Sequence, residues 1–88
     1  MSVYLIHFDT PYKHARHYIG YAKSDVTGRI DEHRRGAGAR LMQVIVQAGI
    51  TFRLAKVWSK GTRRFERQLK NRHGASRYCP ICKAEKDR

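Results

Sequence analysis

Residues 17–33 read HYIGYAKSDVTGRIDEH, and this stretch decides how the rest of the chain is arranged. Its first six residues favour a short β-strand, and its second half favours a helix that begins after a turn. Ser24 or Asp25 can cap the start of that helix. Arg29 and His33 lie four residues apart, so they share one helical face about one turn from each other.

Upstream of this stretch, residues 3–8 (VYLIHF) are rich in strand-forming residues. Alternation predicts that Val3, Leu5 and His7 face one side of this strand, and Tyr4, Ile6 and Phe8 the other. We expect Asp9-Thr10-Pro11 to end this first strand and a loop to continue through Ala15. The connection is too short for a parallel crossover, so the second strand, 17–22, should pair with the first in antiparallel fashion. Gly20 inside that strand indicates a bulge, or a close approach by another backbone or a ligand.

Downstream, residues 39–48 carry both strand and helix signals, and their length and the following Gly49 favour a short helix. Residues 50–58 alternate in hydrophobicity and predict a third strand, and Thr62 caps a helix that runs to about residue 72. The sequence therefore predicts an α+β fold with a three-stranded antiparallel sheet flanked by helices, in the order ββααβα. We expect a domain over residues 1–74 and an irregular basic tail over 75–88 that carries the CPIC motif.

Charge is the strongest signal of composition. Nineteen lysines and arginines stand against seven acidic residues, a net charge of +12, while 41% of the residues are hydrophobic. Repulsion between these positive charges would destabilise a compact state, which favours binding to a polyanionic partner. Because the hydrophobic content is enough for a core, a folded nucleic-acid-binding domain fits best. A ribosomal-type structural protein and an acidic-membrane binder are the rivals. The absence of a Lys-flanked apolar helical face weakens the membrane alternative, and a sequence with no signal peptide and no apolar span predicts a cytoplasmic protein.

The positions of several polar residues resemble those of the GIY-YIG nuclease domain. The segment 3–5, the triplet Tyr18-Ile19-Gly20, the pair Arg29 and His33, and Glu66 occur in that family's order, over residues 2 to about 72. The second triplet is present literally, whereas the first is degenerate, with Ser-Val-Tyr at positions 2–4 in place of Gly-Ile-Tyr.

The resemblance implies metal-dependent hydrolysis of DNA. It implies that Tyr4 is the general base or positions the attacking water, and that Tyr18 helps to orient that group. Arg29 would neutralise charge on the phosphate, His33 would touch the substrate or the tyrosine, and Glu66 would hold one Mg²⁺ or Mn²⁺. A monomer would nick one strand, and double-strand cleavage would require a homodimer or a second event.

The chemistry of the residues agrees with these roles in part. The arginine fork matches two phosphate oxygens, and a carboxylate suits a hard divalent cation. Tyr4 is an awkward base, because a free phenol ionises near pH ~10, so Arg29 and a metal ion would have to lower its pKa. Few carboxylates lie near the site, which favours one metal over two.

The simpler alternatives stay open. Glu66 could pair with Lys70, and Glu32 could be the salt-bridge partner of Arg29 or a rival metal ligand. The whole domain could be a catalytically silent DNA- or RNA-binding module. The other basic residues are expected to grip the phosphate backbone without reading bases: Arg34, Arg35, Arg40, Arg63, Arg64, Arg67, Lys70, Arg72 and Arg77.

Cys79 and Cys82 form half of a zinc site. His73 and one further ligand, His14, His17 or a residue of a second chain, would complete it. The sequence favours the alternative, an irregular tail with two thiols, over Zn²⁺.

Overall fold

The first six elements follow the predicted order ββααβα, and two further helices, which were not predicted, come after them. The structure, a computed structural model, describes residues 1–13, 15–23, 25–36, 38–71 and 75–86. In chain order the elements are β1 (Ser2–Tyr12), β2 (Ala15–Ala22), α1 (Val26–Arg34), α2 (Arg40–Gln47), β3 (Phe52–Trp58), α3 (Arg63–Asn71), α4 (Ala75–Tyr78) and α5 (Pro80–Lys86). The chain is therefore a small α+β protein.

The sheet has the strand order β2-β1-β3, and β1 pairs with both neighbours in antiparallel fashion. Tyr4 in the centre of β1 lies opposite Gly20 of β2 and Val57 of β3. The prediction of a three-stranded antiparallel sheet is confirmed. Residues 2–8 of this central strand are buried, because helices cover both faces of the sheet.

The first strand is longer than predicted, since Asp9-Thr10-Pro11 does not end it. The pairing of β1 with β2 is interrupted between His7 and Tyr12, and its register with β3 extends only to Phe8. Pro11 therefore lies where the ladder does not require its missing N–H, which is why the strand tolerates it.

Alternation along β1 sends its side chains into two separate cores. Tyr4, Ile6 and Phe8 pack with Ile30 of α1 and with Met42 and Ile45 of α2, and we call this side of the sheet the α1–α2 face. On the opposite side, the α3–α5 face, the core contains Val3, Leu5, Ile19, Leu69 and Cys79. The predicted division of β1 into two faces is thus confirmed.

The helix caps follow the sequence closely. The Asp25 side chain accepts a hydrogen bond from the Thr27 backbone N–H at 3.1 Å and begins α1; Ser24, the other candidate, lies outside the described residues. Thr62 accepts from the Phe65 N–H at 3.1 Å at the start of α3. The ambiguous segment is helical, as α2, and Gly49 follows it with φ of 75°.

The expectation of an irregular tail is wrong, since residues 75–86 form α4 and α5. Cys79, between the two helices, is fully buried, and the Tyr78 ring lies 6.3 Å from the Trp58 ring. Such short helices are not stable alone. Their order comes from packing on the α3–α5 face, which local sequence does not encode.

Candidate active site

A buried hydrogen bond joins β1 to α1 on the α1–α2 face. The Tyr4 hydroxyl and His33 Nε2 are 2.7 Å apart, and both residues have no exposed surface. Tyr4 is held by the centre of the sheet, whereas His33 lies near the end of α1. Two side chains separated by 29 positions thus share one buried hydrogen bond.

Tyr18 completes an aromatic group around this contact. Its ring centre is 6.2 Å from that of Tyr4 and 5.6 Å from that of His33, with an edge-on approach to the imidazole. Gly20, across the strand pair from Tyr4, leaves the space for the phenol, because a Cβ there would overlap the ring and hydroxyl of Tyr4. The close approach expected at Gly20 comes from a side chain rather than from a backbone, and the register shows no bulge there.

Arg29 lies beside the Tyr4 oxygen and also reaches the surface. Its Nη1 donates to Glu32 Oε2 at 2.8 Å, so one of the two alternatives for Glu32, the salt-bridge partner, is present. Burial opposes the charge, but contacts with Tyr4 and Glu32 outweigh it and hold the pKa of Arg29 above its usual value. The buried Nε makes no hydrogen bond within the described residues. The guanidinium therefore has donor capacity left for another group.

The Tyr4 phenol is harder to ionise than a free one. Burial, followed by the nearby Tyr18, raises the pKa of Tyr4 to about 12, while Arg29 acts in the opposite direction. The sequence suggested that the surroundings would have to lower this pKa, but burial outweighs the arginine. At neutral pH the phenol carries its proton.

Glu66 approaches the tyrosines from α3. Burial is the main cause of the raised pKa of Tyr18, and the Glu66 carboxylate adds to it, as it does more weakly for Tyr4. Its side chain is 18% exposed, and Lys70 Nζ lies 3.6 Å from its Oε2. The same lysine lies 5.5 Å from the centre of the Tyr18 ring. The simpler alternative for Glu66, pairing with Lys70, is therefore present, and its catalytic role stays a prediction.

An open pocket of about 370 Å³ adjoins Arg29 between the end of β2, α1 and the start of α3. Its charged lining comprises Lys23, Arg29 and Arg63, with Asp25 and Glu32 opposing them. The Arg63 guanidinium stacks 4.8 Å from the centre of the Tyr21 ring, which fixes it at the rim. The pocket gives an anion access to Arg29, and Arg29 in turn contacts Tyr4.

The remaining predicted phosphate contacts are exposed but spread over several elements. Arg34 pairs with Asp31 at 3.8 Å and lies 5.8 Å from the Phe52 ring centre, so it is partly committed to its own surroundings. Arg72 lies outside the described residues. The other exposed members of the predicted set are Arg35, Arg40, Arg64, Arg67, Lys70 and Arg77.

A second cluster of chemically capable side chains lies on the α3–α5 face. His7, His17, Cys79 and Cys82 each offer one ligand atom, and these four atoms lie within 4.8 Å of one another. These residues could hold a metal ion. His17 was one of the candidate ligands, whereas His14 and His73 lie outside the described residues.

The residue that sequence reasoning missed is His7. It shares a face of β1 with Val3 and Leu5, and it lies directly opposite His17 in the β1–β2 pairing. Pairing the two predicted strands in antiparallel fashion, with the faces of the first strand assigned, could have placed His7 beside His17.

Comparisons of the chain with protein-family models, with characterised proteins and with solved structures give no match. Among the described residues, no helix has the length and apolar character needed to cross a membrane.

Proposed function

We propose that the protein is a GIY-YIG-type endonuclease or nickase that hydrolyses phosphodiester bonds in DNA with the help of one divalent cation. The observation that carries the proposal is the 2.7 Å contact between the Tyr4 hydroxyl and His33 Nε2, with Arg29 beside the same phenol. A phenol that both meets an imidazole and faces an arginine can move a proton next to a bound phosphate.

The raised pKa of Tyr4 shapes the role of the phenol. Since the phenol is protonated at neutral pH, it can donate its hydrogen bond to His33 Nε2 in the tautomer that carries its proton on Nδ1, and its oxygen then has a lone pair for a water that reaches it. As water attacks phosphorus, its proton passes to the Tyr4 oxygen while the phenolic proton passes to His33. This route needs no stable phenolate, so it avoids the cost of ionising a buried tyrosine.

Arg29 supplies the electrostatic part. Its side chain lines the pocket and is 36% exposed, with Nη1 paired to Glu32, which also lines the pocket. A phosphate in the pocket can therefore take guanidinium donors as charge develops on its oxygens. The exposed arginines and lysines of α1, α2 and α3 would hold the flanking backbone.

Glu66 is the residue that would hold Mg²⁺ or Mn²⁺. A lone carboxylate that is largely shielded from solvent fits an ion that keeps most of its waters and takes substrate phosphate as a further ligand. When bound, such an ion supplies positive charge to the phosphate and its leaving oxygen. Lys70 must release this carboxylate, which DNA phosphates can favour by attracting the lysine.

A second candidate is a binding module without cleavage. Tyr4 and His33 are fully buried, and Glu66 is already paired with Lys70. These observations favour a structural role for the Tyr4–His33 bond in a basic nucleic-acid-binding domain. Catalysis requires that substrate binding opens a path for water to the phenol oxygen.

A plasmid assay with the Tyr4→Phe variant tests the proposal. Supercoiled plasmid should be nicked when Mg²⁺ is added and remain intact when it is omitted. Tyr4→Phe removes the oxygen but keeps the ring, so nicking should fall by about 10²-fold or more. Tyr12→Phe, a half-buried tyrosine packed on the same core, is the matched control and should nick normally. DNA binding without nicking by the unmodified protein would establish the second candidate instead.

A further inference from the structure

The cluster on the α3–α5 face brings four metal-binding atoms together from three distant parts of the chain. His7 Nδ1 lies 3.4 Å from His17 Nε2, 3.5 Å from Cys79 Sγ and 3.4 Å from Cys82 Sγ. Cys82 Sγ lies 3.2 Å from His17 Nε2. The two thiols are not joined in a disulfide.

Hydrogen bonding accounts for only part of this convergence. A ring nitrogen of imidazole has one in-plane position, which is either an N–H donor or a lone pair. His7 Nδ1 nevertheless has three polar atoms within 3.5 Å. The thiol of Cys79 can donate to this nitrogen and that of Cys82 to His17 Nε2, but the two ring nitrogens then face each other with lone pairs at 3.4 Å, and Cys82 Sγ lies equally close to His7 Nδ1. A cation at the centre would serve all four atoms at once.

Four of the six separations are close to those of a tetrahedral zinc complex. With usual bond lengths to nitrogen and sulfur, a tetrahedron places its nitrogens about 3.3 Å apart and a nitrogen and a sulfur about 3.6 Å apart. The nitrogen pair, at 3.4 Å, and three of the four mixed pairs, at 3.2–3.5 Å, lie close to those values, and all four atoms lie within 4.8 Å of one another. We propose that His7, His17, Cys79 and Cys82 form a structural Zn²⁺ site.

Charge and burial favour zinc at this position. Two thiolates and Zn²⁺ together carry no net charge, so the complex can occupy a place where Cys79 is fully buried and His7 is 4% exposed. Two sulfur and two nitrogen ligands select zinc over Mg²⁺ and Mn²⁺, which prefer oxygen. Four protein ligands also fill the tetrahedron and leave no position for substrate, as in structural rather than catalytic sites.

The local structure around the cysteines is suited to this role. Pro80 begins α5, which turns the chain so that Cys79 and Cys82 approach each other. The Cys82 backbone N–H donates to Cys79 Sγ at 3.5 Å, a contact that stabilises a thiolate. The ion would fasten α4 and α5 to the β1–β2 hairpin, which these short helices need since they cannot fold alone.

The site is independent of the proposed cleavage. His7 points away from Tyr4 across the sheet, because the two residues lie on opposite faces of β1. Chelators remove both kinds of ion, so the two proposals are separated by using zinc-loaded protein and omitting only Mg²⁺ from the nicking assay.

The first test is metal content. Reduced full-length protein, loaded with Zn²⁺ and desalted, should retain one zinc per chain by elemental mass spectrometry. The Co²⁺-substituted protein should show the strong visible bands of a tetrahedral site and a sulfur-to-cobalt charge-transfer band. Zinc content near zero, or a cobalt spectrum without the sulfur band, would overturn the proposal.

The second test follows the C-terminal helices. Trp58 is the single tryptophan of the chain and contacts Tyr78 of α4, so its fluorescence reports on that segment. Removing zinc with EDTA should change this emission, restore reactivity of both thiols and lower the Tm by about 5 °C or more. Identical emission and Tm with and without zinc would contradict a structural ion.

Two variants assign the ligands. Cys82→Ser and His17→Gln should each weaken Zn²⁺ binding by about 10²-fold or more, since each removes one of four ligands. His73→Gln, which changes the ligand predicted from the sequence, should bind zinc like the unmodified chain. If the first two variants do not fold, the Co²⁺ spectrum of the unmodified protein still decides the ligand types. Weakened binding in His73→Gln together with unchanged binding in His17→Gln would refute this set of four.

Discussion

The two faces of the sheet receive side chains from the same strand, yet they are covered in different ways. The α1–α2 face is closed by two helices that follow β2 directly in sequence, with Ile30, Met42 and Ile45 fully or almost fully buried. The α3–α5 face is closed by the last three helices, two of them with seven residues or fewer.

The polar groups buried on the two faces differ accordingly. On the α1–α2 face one hydrogen bond joins a buried phenol to a buried imidazole. On the α3–α5 face two imidazoles and two sulfurs crowd together with more close contacts than hydrogen bonds can use. The first pair can transfer a proton, whereas the second group is suited to hold an ion. One strand with alternating side chains can thus supply two kinds of chemistry, separated by its own backbone.

The largest expected effect concerns Glu66, which tests whether the two faces are chemically separate. Glu66 belongs to a helix of the α3–α5 face, yet its charge contributes to the raised pKa of Tyr18, which lies on the other face. Glu66→Gln keeps volume and helix propensity but removes the charge that a hard cation needs. We expect nicking to fall below detection, by about 10³-fold or more, while a mobility shift shows DNA binding retained or slightly tighter.

Asp31→Asn is the matched control for Glu66→Gln. Asp31 is an exposed carboxylate in the surface pair with Arg34, so its loss should cost at most about 0.5 kcal/mol of stability and leave nicking intact. Nicking retained in Glu66→Gln would remove Glu66 as the metal ligand and direct the search to Glu32.

Salt dependence tests which edge of the sheet meets nucleic acid. If six or more phosphates are contacted, affinity should fall by roughly 10³-fold or more between about 50 and about 200 mM salt. Arg63→Ala, at the pocket beside β2, should reduce the slope of log affinity against log salt by about 1. Fluorescence anisotropy on a short duplex measures both quantities.

Lys56→Ala is the comparison for Arg63→Ala, because each cation stacks on an aromatic ring but Lys56 belongs to β3, at the opposite edge of the sheet. For Lys56→Ala, the slope of log affinity against log salt should equal that of the unmodified protein. A flat salt response, or equal effects of both variants, would count against a phosphate-binding surface at the β2 edge.

The smallest expected effect concerns the space for Tyr4. Gly20→Ala puts a methyl group against the Tyr4 ring and hydroxyl, so the phenol must move. Overpacking of this kind costs about 1–3 kcal/mol of unfolding free energy, and the displaced phenol should slow nicking by about 10-fold or more. Urea unfolding and the plasmid assay measure the two consequences.

Gly28→Ala serves as the stability control, because it should raise the free energy of unfolding whereas Gly20→Ala should lower it. Its added methyl group would meet only the Asp25 carboxylate, at an ordinary 3.9 Å, and alanine favours the helix by about 1 kcal/mol. Equal stabilities of the Gly20 and Gly28 variants would mean that Tyr4 is not confined by Gly20.

Features that depend on neighbouring residues could be predicted from the sequence alone. Alternation along 3–8 assigned Tyr4 and His7 to opposite faces, and the caps at Asp25 and Thr62 began the helices where the structure has them. The helical spacing of Arg29 and His33 placed both on one face, and both do lie near Tyr4. Such features depend on neighbours within one or two turns, so a pattern is enough to find them.

The remaining features of the site depend on contacts between residues that are far apart in the sequence, so they could not be predicted from local patterns. Burial raises the pKa of Tyr4 even though Arg29 acts to lower it. Packing on the sheet orders the last two helices, in a segment whose local sequence predicts an irregular tail. It also brought Cys79 and Cys82 to His7, more than seventy positions away in sequence. No local pattern encodes that meeting, because it depends on where the last two helices pack, and they gain their stability only from the surface that they cover.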